Sequence, residues 1–230
     1  MKKIVVIHQP DFFPYIGFFQ RFLHADLFVI QDAVQFSKRG WTHRDKIKTP
    51  SGESWITLSL QKHPHTTPIN LIALSKSENW QHEHLKMLKM SYQKAPFFNQ
   101  IFPLVSDLYS QTPILMAEFN IRTIELLMEL FDVRLPYIRA SELKASGRSN
   151  ELLISQLHEV GATHYLSGIG ARHYMQPEKF GKAGIEVIWQ EFTHPVYPQQ
   201  FGSFVPYLSA LDVLFNCGIT ASRQILREAA

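Results

Sequence analysis

The stretch IVVIHQPDFFPYIGFF, residues 4–19, begins as a buried strand and then breaks. Ile4, Val5, Val6 and Ile7 are β-branched and uninterrupted, the composition of a parallel strand covered on both faces. Pro10 and Pro14 stop the ladder, because neither has a backbone N–H to donate. Working outward, Ile16, Phe19, Phe22 and Leu23 recur at helical spacing, and Leu27–Ile30 reads as a second strand. Strand, loop, helix, strand is the start of a βαβ unit. It predicts an α/β fold: a mostly parallel open sheet with helices on both faces.

The rest of the chain adds to that frame. HRDKIKT and SWITLSL, separated by a Pro-Ser-Gly turn, predict an antiparallel hairpin, and QKHPHTTP at 61–68 a polar loop. Ser77 is placed to cap a helix over 78–93. Helices over 97–110 and 113–131 follow, the latter with Pro113 in its first turn. This block, about 76–131, is a helical insertion, read either as a subdomain or as a wall beside the sheet. Strand and helix then alternate through LPYIRA, 149–160, THYLSG, 176–183 and IEVIWQE, before two short helices at 207–216 and 218–228. With no repeat and no linker, the 230 residues predict a single domain.

Composition bounds the function. The net charge of +3 is weak and scattered, which argues against nucleic acid. A lone cysteine, Cys217, indicates no disulfide framework, and no window is apolar for the ~18–20 residues of a membrane span. A cytoplasmic protein acting on a small molecule is the expectation.

Four clusters carry candidate chemistry. If the first strand is central, His8, Gln9 and Asp11 emerge at its carboxyl end, where open α/β sheets bind ligands. Tyr15 lies in an aromatic loop able to stack on a ligand. Gly17, at the helix start, lets an anion approach backbone N–H groups. In QDAVQFSKRGWTHRDKIK, residues 31–48, Asp32 and Gln35 follow the second strand. There Arg39, Arg44 beside Trp41, and Lys46 could clamp phosphates while Asp32 holds a hydroxyl, an amine or magnesium. Lys38 and Lys48 read as solvated. In YLSGIGARHY, residues 165–174, Ser167, Gly168 and Gly170 offer backbone donors to an anion, with Tyr174 close by and Asn150 upstream as a helix cap or ligand contact. In YPQQFGSFVPYLSALDVLFNCG, residues 197–218, Tyr197 and Gln199 are loop residues, and Asp212 shares one helix face with Ser209 and Asn216. Each of these residues also has a structural reading as a cap, a turn or a satisfied core group. There is no P-loop and no G-x-G-x-x-G after the first strand. His82 and His84 point to different helix faces, which leaves the loop pair His63 and His65 as a candidate metal pair, with solvation the commoner outcome.

HQPDFFPYIGFFQRFLHADLFVIQDAVQFSKRGWTHRDKIK, Ser149-Asn150, YLSGIGARHY and LSALDVLFNCG together resemble the WbqC-like family over nearly the whole chain. Asp45 departs from the asparagine that the resemblance leads one to expect there. The path from first strand to histidine loop to helix is also similar, more remotely, to pantothenate synthetase-type enzymes of the histidine-motif nucleotidyl-transferase superfamily. Their usual second histidine is absent, since Gly17 and Phe18 occupy its place. The resemblance implies an enzyme of bacterial polysaccharide or O-antigen biosynthesis, a transferase joining a glycyl or other acyl group to a nucleotide-linked amino sugar. His8 would then be the general base or electrostatic stabiliser, Asp32 would orient the amine, and Arg39, Arg44 and Lys46 would hold phosphates. ATP with magnesium is a compatible cofactor, though no cofactor is fixed. An ATP-using nucleotidylyltransferase or ligase and a non-catalytic sugar- or partner-binding protein are the alternatives.

Overall fold

The computed structural model describes residues 1–76 and 79–229. Five strands, β1 (Ile4–His8), β2 (Leu27–Ile30), β5 (Tyr137–Arg139), β6 (His164–Ser167) and β7 (Glu186–Trp189), form one sheet in the order β5-β2-β1-β6-β7. Every pairing in it is parallel. The hairpin of β3 (Arg44–Thr49) and β4 (Gly52–Thr57) forms a separate two-stranded antiparallel sheet. The protein is therefore α/β, with β1 at the centre of its main sheet.

Alternation along the strands sets the layers. Val6, Phe28, Ile30 and Leu166 enter one buried cluster, while their neighbours Val5, Ile7, Val29 and Tyr165 enter another. Side chains alternate across a strand, so these clusters lie on opposite faces of the sheet. The first face is covered by α1 (Ile16–Gln20), α4 (Met116–Phe131) and the C-terminal α7 (Leu211–Glu228). The second is covered by α5 (Asn150–Glu159) and α6 (Pro177–Lys182), through Leu157 and Phe180. Helices α2 (Trp80–Tyr92) and α3 (Phe98–Ser110) contribute Leu88, Tyr92, Ile101 and Val105 to the same cluster as Phe12, Phe19 and Phe215.

Two local expectations change, and a third, the Ser77 cap, is not among them. Ser77 lies outside the described residues. Pro113 is not in the first turn of α4, which begins at Met116. Its forerunners are extended, because Leu115 bridges Ala73 and the Ile114 carbonyl accepts from Leu74 N–H at 2.9 Å. The first terminal helix starts at Leu211 rather than 207, since Ser209 N–H donates to the Lys46 carbonyl and Ala210 N–H to that of Pro14. It breaks at Gly218 (φ 74°, ψ 174°), where an added Cβ would stand 2.6 Å from the Phe97 ring.

α4 also reaches across the sheet end. The fully buried Asn120 amide donates to the carbonyls of Pro10 and Thr42, each at 2.8 Å. Thr123 Oγ1 accepts from Phe13 N–H at 3.2 Å. Two loops far apart in sequence are thus fixed to one helix. Losing a buried partner of this kind leaves carbonyls desolvated, so Asn120→Ala should lower unfolding stability by about 2–3 kcal/mol. Urea titration of both proteins checks this, and a difference within about 0.5 kcal/mol would mean the amide is not the tie described.

Candidate active site

The strand order reverses at β1: β2 and β5 lie to one side, β6 and β7 to the other. Ligand crevices in such sheets form at that point, outside the carboxyl ends. A cavity of about 530 Å³ occupies it, lined by His8 and Ser167 from the two strand ends. Asp11, Arg21, Tyr165 and the 167–171 loop line it as well. Trp41 and Asp45, Gln190, and the rings of Tyr15, Phe192 and Tyr207 complete the walls.

Arg21, which follows α1 directly, is 3% exposed and makes no ion pair with any described residue. Its Nε is buried without a hydrogen-bond partner among the described residues. Nη1 lies 3.5 Å from where a side chain on Gly168 would begin, and the guanidinium carbon is 5.3 Å from the Phe18 ring centre. Burial pushes its pKa down, and the nearby Tyr15 and Asp11 push it back up. Buried polar groups are nearly always satisfied, so an arginine left open toward a cavity marks a place for an anion.

His8 Nδ1 lies 3.0 Å from the Gln9 carbonyl, which makes it the protonated nitrogen. Nε2 keeps its lone pair and has no partner among the described residues. The ring packs edge-on to Phe18 at 5.2 Å. Desolvation, then the charge of Arg21, lowers the His8 pKa to about 3, so the imidazole is neutral at pH 7. Asp11, 7% exposed, has its Oδ2 3.5 Å from His8 Nδ1. Burial raises its pKa to about 7, opposed by Arg21. Asp45, 2% exposed, is raised well above the usual carboxylate range by desolvation, although its Oδ1 accepts from Lys46 N–H at 2.6 Å.

Of the residues singled out in the sequence, His8, Asp11, Tyr15, Trp41, Ser167, Gly168, Gly170 and Tyr174 border this cavity. The others stand elsewhere, each for a visible reason. Gln9 contributes only the carbonyl that orients His8. Gly17 sits behind the wall: its Cβ would lie 2.4 Å from Tyr15 and 2.7 Å from Phe192, and its carbonyl accepts from Gln190 at 2.8 Å. Asp32 is fully buried and accepts from the backbone and hydroxyl of Ser141, at 2.9 and 2.8 Å. It follows β2, which flanks β1 on the side away from β6, and it is not among the residues that line the cavity. Gln35 bonds His65, and Arg39 is exposed. The Arg44 guanidinium lies 3.8 Å over the Trp55 ring, with Nε donating to the Arg39 carbonyl. Lys46 pairs with Glu53 at 2.8 Å.

Asn150 holds the chain that carries Tyr174, donating to the Tyr174 carbonyl and accepting from Gln176 N–H. Tyr197, Gln199 and Asp212 belong to a second polar group beneath the hairpin. There Asp212 accepts from Tyr92 at 2.9 Å and from Gln199 at 2.8 Å. Lys48, far from being solvated, is 1% exposed and donates to Gln199 and to the Ser203 carbonyl. His63 bonds the Pro64 carbonyl, and among the described residues no group of three or more His, Cys, Asp or Glu is placed to hold a metal ion. No helix among them is long and apolar enough to cross a membrane.

Sequence reasoning missed Arg21, Asp45, Tyr165, Gln190, Phe192 and Tyr207 as lining residues. A usable signal existed for Arg21, the one charge in the otherwise apolar run Ile16–Leu23 apart from Gln20. For Tyr207 there was none, as its positive φ of 58° is a tertiary result.

Comparison with known proteins agrees with the resemblance read in the motifs. An uncharacterized protein of Mycobacterium tuberculosis, Rv1507c, is 28% identical over 223 residues, covering 96% of each chain. No solved structure matches. The family described as the WbqC-like protein family matches residues 9–224, nearly the full length from the Gln9 that orients His8 to the last helix, and the chain belongs to that family.

Proposed function

We propose that the protein is a small-molecule transferase that forms an amide, passing a glycyl or other acyl group to a nucleotide-linked amino sugar of bacterial polysaccharide. The observation that carries this reading is Arg21, buried with its Nε unpartnered among the described residues, lining the same cavity as a neutral His8 whose Nε2 has no partner among them. The nature of the acyl group and of the sugar comes from the family resemblance alone.

The chemistry divides among the lining groups. Arg21 and the backbone of the Ser167–Gly170 loop hold an anionic group of the substrate. The amine nitrogen attacks the acyl carbonyl, the C–N bond forms, and the bond to the leaving group breaks. The proton lost from nitrogen passes to His8 Nε2 and on to the leaving group. Asp11, with a pKa about 7, is matched to exchanging that proton near neutrality. The rings of Tyr15, Trp41, Phe192 and Tyr207 narrow the mouth and limit water. Trp41, half exposed on the cavity lining, offers a ring on which a nucleotide base would stack.

Incubating the protein with an amino acid, ATP and a uridine-diphosphate amino sugar, read by mass spectrometry, tests the reading. An amide-linked product is expected, and His8→Ala should reduce its rate by roughly 10²–10⁴. Undiminished turnover in His8→Ala would remove the histidine from the mechanism. Release of pyrophosphate without an amide would favour nucleotidyl transfer, and saturable binding without any product would favour a binding protein.

The His8 and Asp11 shifts also predict how stability follows pH. His8 falls from 6.5 to about 3 on folding, so its contribution is present above 6.5 and lost as pH drops through about 3. Asp11 rises from 3.8 to about 7, so its contribution is present below 3.8 and lost as pH climbs through about 7. Between those values the two oppose and largely cancel. Solvent reaching the 34% of the His8 side chain that is open damps the size, not the sign. His8→Asn removes one side of the balance, so its urea midpoint should fall from about pH 4.5 to about pH 6.5 relative to wild type. Parallel curves would contradict the paired shifts.

A further inference from the structure

The cavity holds two kinds of charge, and among the described residues neither is closed in an ion pair with a lysine, arginine or carboxylate. Arg21 supplies a cation at the 168 end. Asp11 and Asp45 supply two carboxyl groups from different segments, the loop after β1 and the hairpin strand β3, and both line the same space. Among the described residues neither pairs with a lysine or arginine, and the contact of Asp11 with the neutral His8 meets an Nδ1 proton already directed at the Gln9 carbonyl. Asp11 makes no hydrogen bond to any described residue, and Asp45 accepts only from the next backbone N–H. Lys46, the nearest lysine in sequence, is engaged by Glu53.

Both carboxyl groups are more than nine-tenths buried on one cavity, and the charge of Asp11 adds to the desolvation that makes Asp45 costly to ionise. Folding does not require this pair, since two apolar residues of similar size would pack there without desolvating charge. A positive group brought by a ligand would satisfy both. The rings of Tyr15 and Tyr207, centred 5.9 Å apart, and of Trp41 add π faces to the same wall, which favour an ammonium over a neutral group. The arginine, unpartnered and 97% buried by the same measure, independently marks the cavity as a ligand site.

We propose that Asp11 and Asp45 form an ammonium subsite, holding a protonated amino group of a ligand whose anionic group sits on Arg21. This rests on the reading of the cavity as the substrate site and adds what selects the substrate: a molecule carrying both a primary amine and an anion. Asp45 and Asp11 are specificity-determining residues in this account. A free amino acid and an amino sugar phosphate share that chemistry, and the test separates them.

Calorimetric titration of the full chain with matched probes decides the matter. One pair is glucosamine 6-phosphate against glucose 6-phosphate, and the other is glycine against glycolate. Within each pair only an amine is exchanged for a hydroxyl. In at least one pair the amine should bind about tenfold or more tightly, a difference of about 1.4 kcal/mol. The pair that shows it identifies the source as sugar or amino acid. Asp45→Asn, which keeps shape and removes charge, should collapse that preference to under about threefold, and Asp11→Asn should do the same. Equal binding of both twins to the wild type, or a preference that survives both substitutions, overturns the ammonium subsite and leaves the anion site standing. Binding of no probe overturns both.

Discussion

Arg21 is 3% exposed, and no carboxylate, carbonyl or hydroxyl of a described residue is bonded to it. Withdrawing such a charge costs several kcal/mol, and proteins rarely leave the cost uncompensated. The surroundings explain how it is tolerated. Asp11, Tyr15, Tyr165 and Tyr174 all lean on it electrostatically, the Phe18 ring lies beside it, and the cavity keeps its outer nitrogens open. Everything else at the crevice answers to that charge: it helps keep His8 neutral and it moderates the rise of Asp11.

The scaffold around the charge is correspondingly rigid. Gln190 ties α1 to the end of β7, donating to the Gly17 carbonyl at 2.8 Å and to Gln20. Asn120 ties the loop after β1 to the loop before β3. Lys48, Gln199, Asp212 and Tyr92 form a buried, mutually satisfied group that straps the 199–205 segment to the hairpin. That strap leads to Tyr207, whose ring packs on Tyr15 and His194. The polar residues that do not face the cavity are therefore not idle: they fix the walls that do, which is how a site gains precision from its supporting shell.

How much was legible follows from how local each signal is. Ile4–Ile7 and Leu27–Ile30 announce parallel strands by composition, and the alternation with helices gives the fold class before any contact is known. His8, Ser167, Gly168 and Gly170 follow from the same reasoning, because the end of a strand is a place that sequence can name. Asp32 shows its limit. The end of β2 is equally nameable, but which side of β1 it takes is a property of strand order. Arg44 and Lys46 looked like a phosphate clamp by charge and spacing. Neighbours four or more residues away, Trp55, Glu53 and the Arg39 carbonyl, occupy them instead. Lys48 is engaged by Gln199 and Ser203, more than a hundred residues along the chain, and Asp45 is buried where the hairpin meets the cavity, so no local pattern could place them.

The central claim is that Arg21 is retained for an anion at the expense of stability. Thermal unfolding of the wild type and Arg21→Met, each with and without millimolar inorganic pyrophosphate, tests it most directly. Replacing a buried, unpaired charge with an apolar side chain is expected to leave the melting temperature equal or higher. Pyrophosphate should raise that of the wild type only, by roughly 2–4 °C for each kcal/mol of binding free energy that mass action adds. A variant that melts several degrees lower, or that responds to pyrophosphate as the wild type does, would contradict the account.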